Sequence, residues 1–148
     1  MPRSTNSFLF PNINVWLALS YERHIHYSSA RGWFERLEEN SHVCFCRFTQ
    51  LGLLRLLTTG AVMGEDKVLS QAEAWFVYDR WIQDDRILYV EESSALEARF
   101  RALTQNDRAA PKDWADSYLY AFAETADLRL VTFDQALRQK GANVLLLQ

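Results

Sequence analysis

The stretch Phe8-Leu9-Phe10-Pro11-Asn12-Ile13-Asn14-Val15-Trp16-Leu17-Ala18-Leu19 decides the fold. Its first three residues are a short apolar run suited to a buried strand, Pro11 to Asn14 break that run with polar side chains, and the apolar pattern resumes from Asn14 to Ser20 with helical spacing. A strand that passes through a polar turn directly into a helix is the opening of an α/β unit.

The same alternation repeats along the chain. Candidate strands are Phe8 to Phe10, Val43 to Phe48, Arg86 to Val90, Leu128 to Phe133 and Asn143 to Leu147. Helical patterns lie between them at about Asn14 to Ser20, Tyr27 to Glu39, Leu51 to Thr59, Ser70 to Gln83, Ser94 to Thr104 and Trp114 to Ala126. Gly60, Gly64, Gly141 and the segment from Asn106 to Lys112 mark loops. Helical crossovers force neighbouring strands to run parallel. The expected fold is therefore α/β, an open and mostly parallel sheet of about five strands covered by helices on both faces.

The sequence has 148 residues, with 49% hydrophobic and 24% charged. That length suits one domain, 1–148, able to bury a substantial core. Cys44 and Cys46 are the two cysteines. They alternate in an apolar strand pattern, so both should point to one face as core thiols, which fits a reducing, cytoplasmic setting. No stretch reaches the roughly 18 apolar residues of a membrane span, and Pro11, Asn12 and Asn14 interrupt the N-terminal apolar run, so the expectation is a soluble, unprocessed protein. A net charge of -3 argues against a DNA binder with a broad basic face. It leaves room for a cleft that holds acids for a metal and a rim of Arg and Lys for phosphate.

In open parallel sheets ligands bind beyond the carboxyl ends of the strands. Asn12 and Asn14 follow the first strand, Thr49 and Gln50 the second, and Asp134 stands behind Thr132 and Phe133 at the end of the fourth. Asp113 and Asp116 open a helix, where acids gain about 0.3–1 kcal/mol from the macrodipole, so taken alone they read as helix-terminal acids. Asp116 and Asp134 together read differently, because both fall at the same sheet edge. Two carboxylates about 4 Å apart repel by roughly 4 kcal/mol at an effective dielectric of 20, and a divalent cation is the economical counter-charge. Oxygen-only donors point to Mg²⁺ or Mn²⁺. His24, His26 and His42 lack ligand spacing and are expected at the surface.

These residues also carry a resemblance. The opening Phe-Leu-Phe-Pro11-Asn12-Ile-Asn14-Val-Trp-Leu-Ala-Leu resembles that of VapC-type PIN domains, which usually have Asp at the position of Asn12 and keep the Asn at Asn14. Cys-Arg-Phe-Thr49-Gln-Leu-Gly52-Leu-Leu-Arg55-Leu-Leu-Thr resembles the second PIN motif, where many members have Glu at the position of Gly52. Trp-Ala-Asp116-Ser-Tyr-Leu-Tyr-Ala-Phe-Ala and Leu-Val-Thr132-Phe-Asp134 resemble the third and fourth motifs at their Asp residues. The resemblance runs from about Phe8 to Leu147.

It implies an RNA-cleaving toxin that uses Mg²⁺ or Mn²⁺ and is silenced by a VapB-like antitoxin. Asp116, Asp134 and Asn12 are the implied catalytic and metal-holding residues, supported by Asn14, Thr49, Thr132 and Arg55. Asn12 offers a carbonyl oxygen without charge and Gly52 offers no side chain, so the implied nuclease is a weakened one. A PIN fold that binds antitoxin or RNA without cleavage is the alternative. A haloacid-dehalogenase-type phosphatase lacks its nucleophile here, and a receiver-like domain lacks its paired acids and its Lys. Five tryptophans and nine phenylalanines exceed the needs of one small core, and exposed aromatics suit a homodimer or antitoxin interface.

Overall fold

The computed structural model describes residues 7–148. Five strands, β1 (Phe8–Pro11), β2 (His42–Phe45), β3 (Ile87–Tyr89), β4 (Arg129–Thr132) and β5 (Val144–Leu146), form one sheet in the order β3-β2-β1-β4-β5. Every pairing is parallel. The helices are α1 (Ile13–Ser20), α2 (Tyr27–Glu35), α3 (Arg47–Leu57), α4 (Gly60–Met63), α5 (Gln71–Ile82), α6 (Leu96–Leu103), α7 (Asp113–Thr125) and α8 (Gln135–Arg138).

The side-chain alternation of the strands divides the core into two layers. Leu9, Val43, Phe45, Ile87 and Val131 point to the face covered by α1, α2, α3 and α5, where Trp16 is fully buried and stacks on Phe45 at 3.7 Å between ring centroids. Phe10, Cys44, Cys46, Leu130 and Val144 point to the other face, beneath α6 and α7. Both cysteines are buried free thiols on that face, and burial pushes Cys44 up to about 12.

Local chemistry accounts for the helix boundaries. Ser70 and Glu73 form a reciprocal capping box at the start of α5, with Ser70 N–H donating to Glu73 at 2.9 Å and Glu73 N–H to Ser70 at 3.1 Å, which follows the Ser-x-x-Glu pattern. The second strand stops at Phe45, short of the expected Phe48, and α3 begins at Arg47, earlier than Leu51. The reason is Thr49, whose hydroxyl accepts from Cys46 N–H at 3.0 Å and so closes the first turn of α3. Helix α2 ends at Glu35, before the expected Glu39, and the short α4 and α8 lie in segments too brief to show a period.

Candidate active site at the carboxyl edge

The first crossover places Asn12 between two strands. Its backbone N–H donates to Val131 O at 2.8 Å, and its side chain spans from α1 to β4. Asn12 Oδ1 accepts from Ile13 N–H at 2.7 Å, while Asn12 Nδ2 donates to Thr132 Oγ1 at 3.1 Å. Because Ile13 N–H is a donor, the atom facing it is the amide oxygen. Thr132 Oγ1 also accepts from Asp134 N–H at 3.0 Å. One hydroxyl, itself fully buried, thus ties the end of β1 to the residue that follows β4.

Asp134 caps α8 through Oδ1, which accepts from Ala136 N–H at 2.9 Å. Across from it, Asp116 is half-buried in the first turn of α7 and has no hydrogen-bond partner among the described residues. Burial raises the Asp116 carboxyl above the usual carboxylate range, and the nearby negative charge of Asp134 raises it further, against a smaller opposing pull from Lys140. Asp113, one turn away, is spoken for: Lys140 Nζ donates to its Oδ1 at 2.7 Å and Ser117 Oγ to its Oδ2 at 2.9 Å. Those two bonds hold Asp113 below the usual carboxylate range.

Two mutually repelling carboxylates, one of them without a partner, are a strained arrangement that a hard cation relieves. Asn14 adds a second oxygen of this kind, since its Oδ1 is buried without a hydrogen-bond partner. The donor chemistry therefore fits Mg²⁺ or Mn²⁺. Asp116 and Asp134 would hold the ion, with water completing its shell. Asn12 fits less well, because both of its polar atoms are already engaged. Among the described residues no group of three or more His, Cys, Asp or Glu could hold a metal ion, so any such site is a low-charge one.

Comparison with known proteins identifies the family. A family model for the PIN domain matches residues 13–143. The chain belongs to the PIN-domain family. It is 41% identical over 136 residues to Ribonuclease VapC41 of Mycobacterium tuberculosis, covering 90% of this chain and 93% of that one. Among solved structures, VapC20 of M. tuberculosis, described as a Sarcin-Ricin loop cleaving toxin, superposes with a TM-score of 0.64 at 13% identity, covering 91% of this chain and 95% of that one. VapBC2 from Rickettsia felis bound to a promoter DNA fragment gives 0.65 at 13%, covering 94% and 96%. FitAcB from Neisseria gonorrhoeae gives 0.52 at 20%, covering 95% and 96%. These structural likenesses establish the PIN fold.

Within that PIN fold the expected residues separate into two groups. Asn12, Thr132, Asp134 and Asp116 come together at the carboxyl edge, linked through the Thr132 hydroxyl and the Asp116–Asp134 field. Thr49 stands apart: it is fully buried and its hydroxyl closes the first turn of α3 on Cys46. Arg55 lies two turns further along α3 with an exposed side chain. The histidines are half-buried rather than exposed. His26 stacks on Phe133 at 4.3 Å between centroids, and His24 accepts from His26 N–H at 3.0 Å. Sequence reading missed Lys140 and Ser117. Ser117 was within reach, four residues beyond Asp113 on one helix face. Lys140 was not, since 27 residues separate it from Asp113.

Proposed function

We propose that this chain, as a single PIN domain over 1–148, is a VapC-like endoribonuclease toxin dependent on Mg²⁺ or Mn²⁺, weakened by Asn12 at the usual Asp position. The observation that carries the reading is the opposed pair Asp116 and Asp134, the first without a partner and held above the usual carboxylate range by burial and by the second. The 41% identity to a protein named as a ribonuclease supports the reaction class.

Asp116 and Asp134 would hold a divalent cation, which would supply an activated water and stabilise charge on the scissile phosphate. The protein's own contribution is positioning. Thr132 fixes the backbone of Asp134 and the side chain of Asn12, and α7 presents Asp116 from its first turn. Asn14 and Arg55 are supporting residues in this reading, and Thr49 supports it indirectly by setting where α3 begins. RNA cleavage in Mn²⁺ by the chain, set beside Asp116→Asn and Asp134→Asn, tests the reading. Loss of cleavage in both variants is expected. Cleavage that survives both overturns it.

The partner reading is a VapB-like antitoxin in the cytoplasm, with a homodimer as the toxin's own assembly. Solved structures of this fold include VapBC2 bound to a promoter DNA fragment and FitAcB. Trp75 is 46% and Phe76 64% exposed on α5 and Trp114 is 54% exposed on α7, whereas Trp33 and Phe34 on α2 are core residues, so the aromatics at the surface lie on α5 and at the start of α7. No helix among the described residues is long and apolar enough to cross a membrane. The second reading, a PIN module that binds without cutting, is favoured by Gly52, which cannot present the carboxylate many relatives carry there.

A further inference from the structure

We propose that Arg47 is a phosphate-binding residue for the RNA strand, seated beside the acidic site on the β2 side of the crevice; this rests on the ribonuclease reading above. Arg47 is the first residue of α3, at the carboxyl end of β2. Its guanidinium lies over the Tyr89 ring at 5.1 Å, within the range of a favourable cation–π contact. Its Nη1 donates to Gln50 Oε1 at 2.6 Å. Gln50 is only 6% exposed and sits beside the Tyr78 hydroxyl. The guanidinium is therefore held in place from two sides by groups that carry no charge. Among the described residues it forms no ion pair. An exposed, pre-positioned Arg without an ion-pair partner is suited to a phosphate, because little side-chain freedom is lost on binding and the remaining N–H donors match phosphate oxygens.

Sheet register places this charge relative to the acids. Pro11 pairs with Val131, so Asn12 stands level with Thr132. Leu9 pairs with Val43, which puts Asn12 level with Cys46 on the other side. Strand spacing is about 4.8 Å, so Cys46 lies roughly 10 Å from Thr132, with Arg47 next in the chain. The guanidinium reaches one strand further, over Tyr89 of β3, so a strand whose scissile phosphate meets Asp116 and Asp134 can lay a phosphate a few nucleotides along at Arg47. The pocket there, about 290 Å³, is lined by Cys46, Arg47, Tyr89, Glu91, Glu92 and Tyr118 among others. Glu92 accepts from the Tyr118 hydroxyl at 2.7 Å. Glu91 and Glu92 share this lining and oppose an anion there, so the Arg47 guanidinium is the one group of the pocket that draws a phosphate to it.

The test measures binding of a fluorescent 2′-O-methyl single-stranded RNA at constant Mn²⁺ while KCl is varied. Arg47→Ala is expected to weaken binding about threefold to tenfold and to flatten the slope of log Kd against log salt by about 0.7, the share of one phosphate on a single strand. Arg47→Lys keeps the slope and loses affinity, because the charge remains and the planar stack does not. An unchanged Tm confirms that both variants are folded. R47A equal to wild type in affinity and slope overturns the subsite, and cleavage by the wild type then leaves the ribonuclease reading standing. An effect of R47A on an acidic peptide but not on RNA assigns Arg47 to a protein contact and also overturns the subsite. Wild-type protein that binds no RNA at any salt overturns both.

Discussion

Gly52 on α3 packs directly against Ile13 on α1: a Cβ built on residue 52 would stand 2.2 Å from Ile13 Cδ1 and 2.7 Å from Ile13 Cγ1. The position where many PIN proteins carry Glu is thus closed in this chain by a β-branched neighbour, and α1 and α3 meet without an intervening side chain. Gly52→Ala is expected to cost about 1–3 kcal/mol through overpacking, reduced by up to about 1 kcal/mol of helix propensity. Gly52→Glu is expected to cost more. Ile13→Ala should rescue both, giving a coupling of at least about 0.5 kcal/mol in a double-mutant cycle read by urea unfolding. Strictly additive effects would show that the two residues do not constrain each other.

Asn12→Asp replaces the donor that faces Thr132 with an acceptor. Thr132 Oγ1 now receives hydrogen bonds from Asn12 Nδ2 and Asp134 N–H, so its own proton is available to turn toward the new carboxylate, and the geometry can persist with its polarity reversed. Mn²⁺ affinity measured by calorimetry is expected to rise by ~10-fold or more, since a third negative charge joins the site. RNA cleavage should rise with it. Without metal the added repulsion should lower Tm, by about 2–4 °C for each kcal/mol at this chain length. Equal and negligible cleavage by both proteins, with Mn²⁺ bound, would favour the non-cleaving module.

Asp116 sets a pH dependence of stability whose sign follows from its raised value. Below the ordinary value of 3.8 the carboxyl is protonated in folded and unfolded chains alike and costs nothing. As pH rises past 3.8 toward the raised folded value, the unfolded chain loses its proton first, and stability falls. Asp116→Asn removes that cost. In metal-free buffer the variant should be more stable than wild type at pH 7, and the gap should close as pH falls below 3.8. Mn²⁺ should stabilise the wild type more than the variant. A variant less stable than wild type at pH 7 would mean that Asp116 has a favourable partner in the protein.

Lys140 is the internal cation of the site. Asp113, held low by Lys140 and Ser117, contributes stability that is present above the ordinary carboxylate value and lost as pH falls through its lowered one. Lys140→Ala should therefore cost about 1 kcal/mol at pH 7, and the cost should vanish in acid. Freed from Lys140, the Asp113 carboxylate adds negative charge near Asp116, so Mn²⁺ affinity should increase. A fall in Mn²⁺ affinity would show that Lys140 organises the acids instead of competing for them.

Much of this architecture was legible in the residues themselves, wherever the deciding interaction was local or periodic. Alternation put Leu9 and Phe10 on opposite faces and both cysteines on one, and the five strands fall where apolar runs meet turn residues. Ser70 and Glu73, three residues apart, announce the start of α5. Asp134 follows a strand and Asp116 opens the helix that leads into it, and in a parallel sheet both positions fall at one edge. The rest depended on contacts between residues far apart in the chain. Asn12 reaches Thr132 across 120 residues, and that bond braces the end of β1 against β4. Lys140 finds Asp113, and Ile13 fills the space above Gly52. Strand order, β3-β2-β1-β4-β5, is of the same kind. Local sequence sets which face of an element is apolar and where that element begins. Which polar atoms then meet is decided by packing whole elements together, because hydrogen bonds and charges act over a few ångströms of space without regard to distance along the chain.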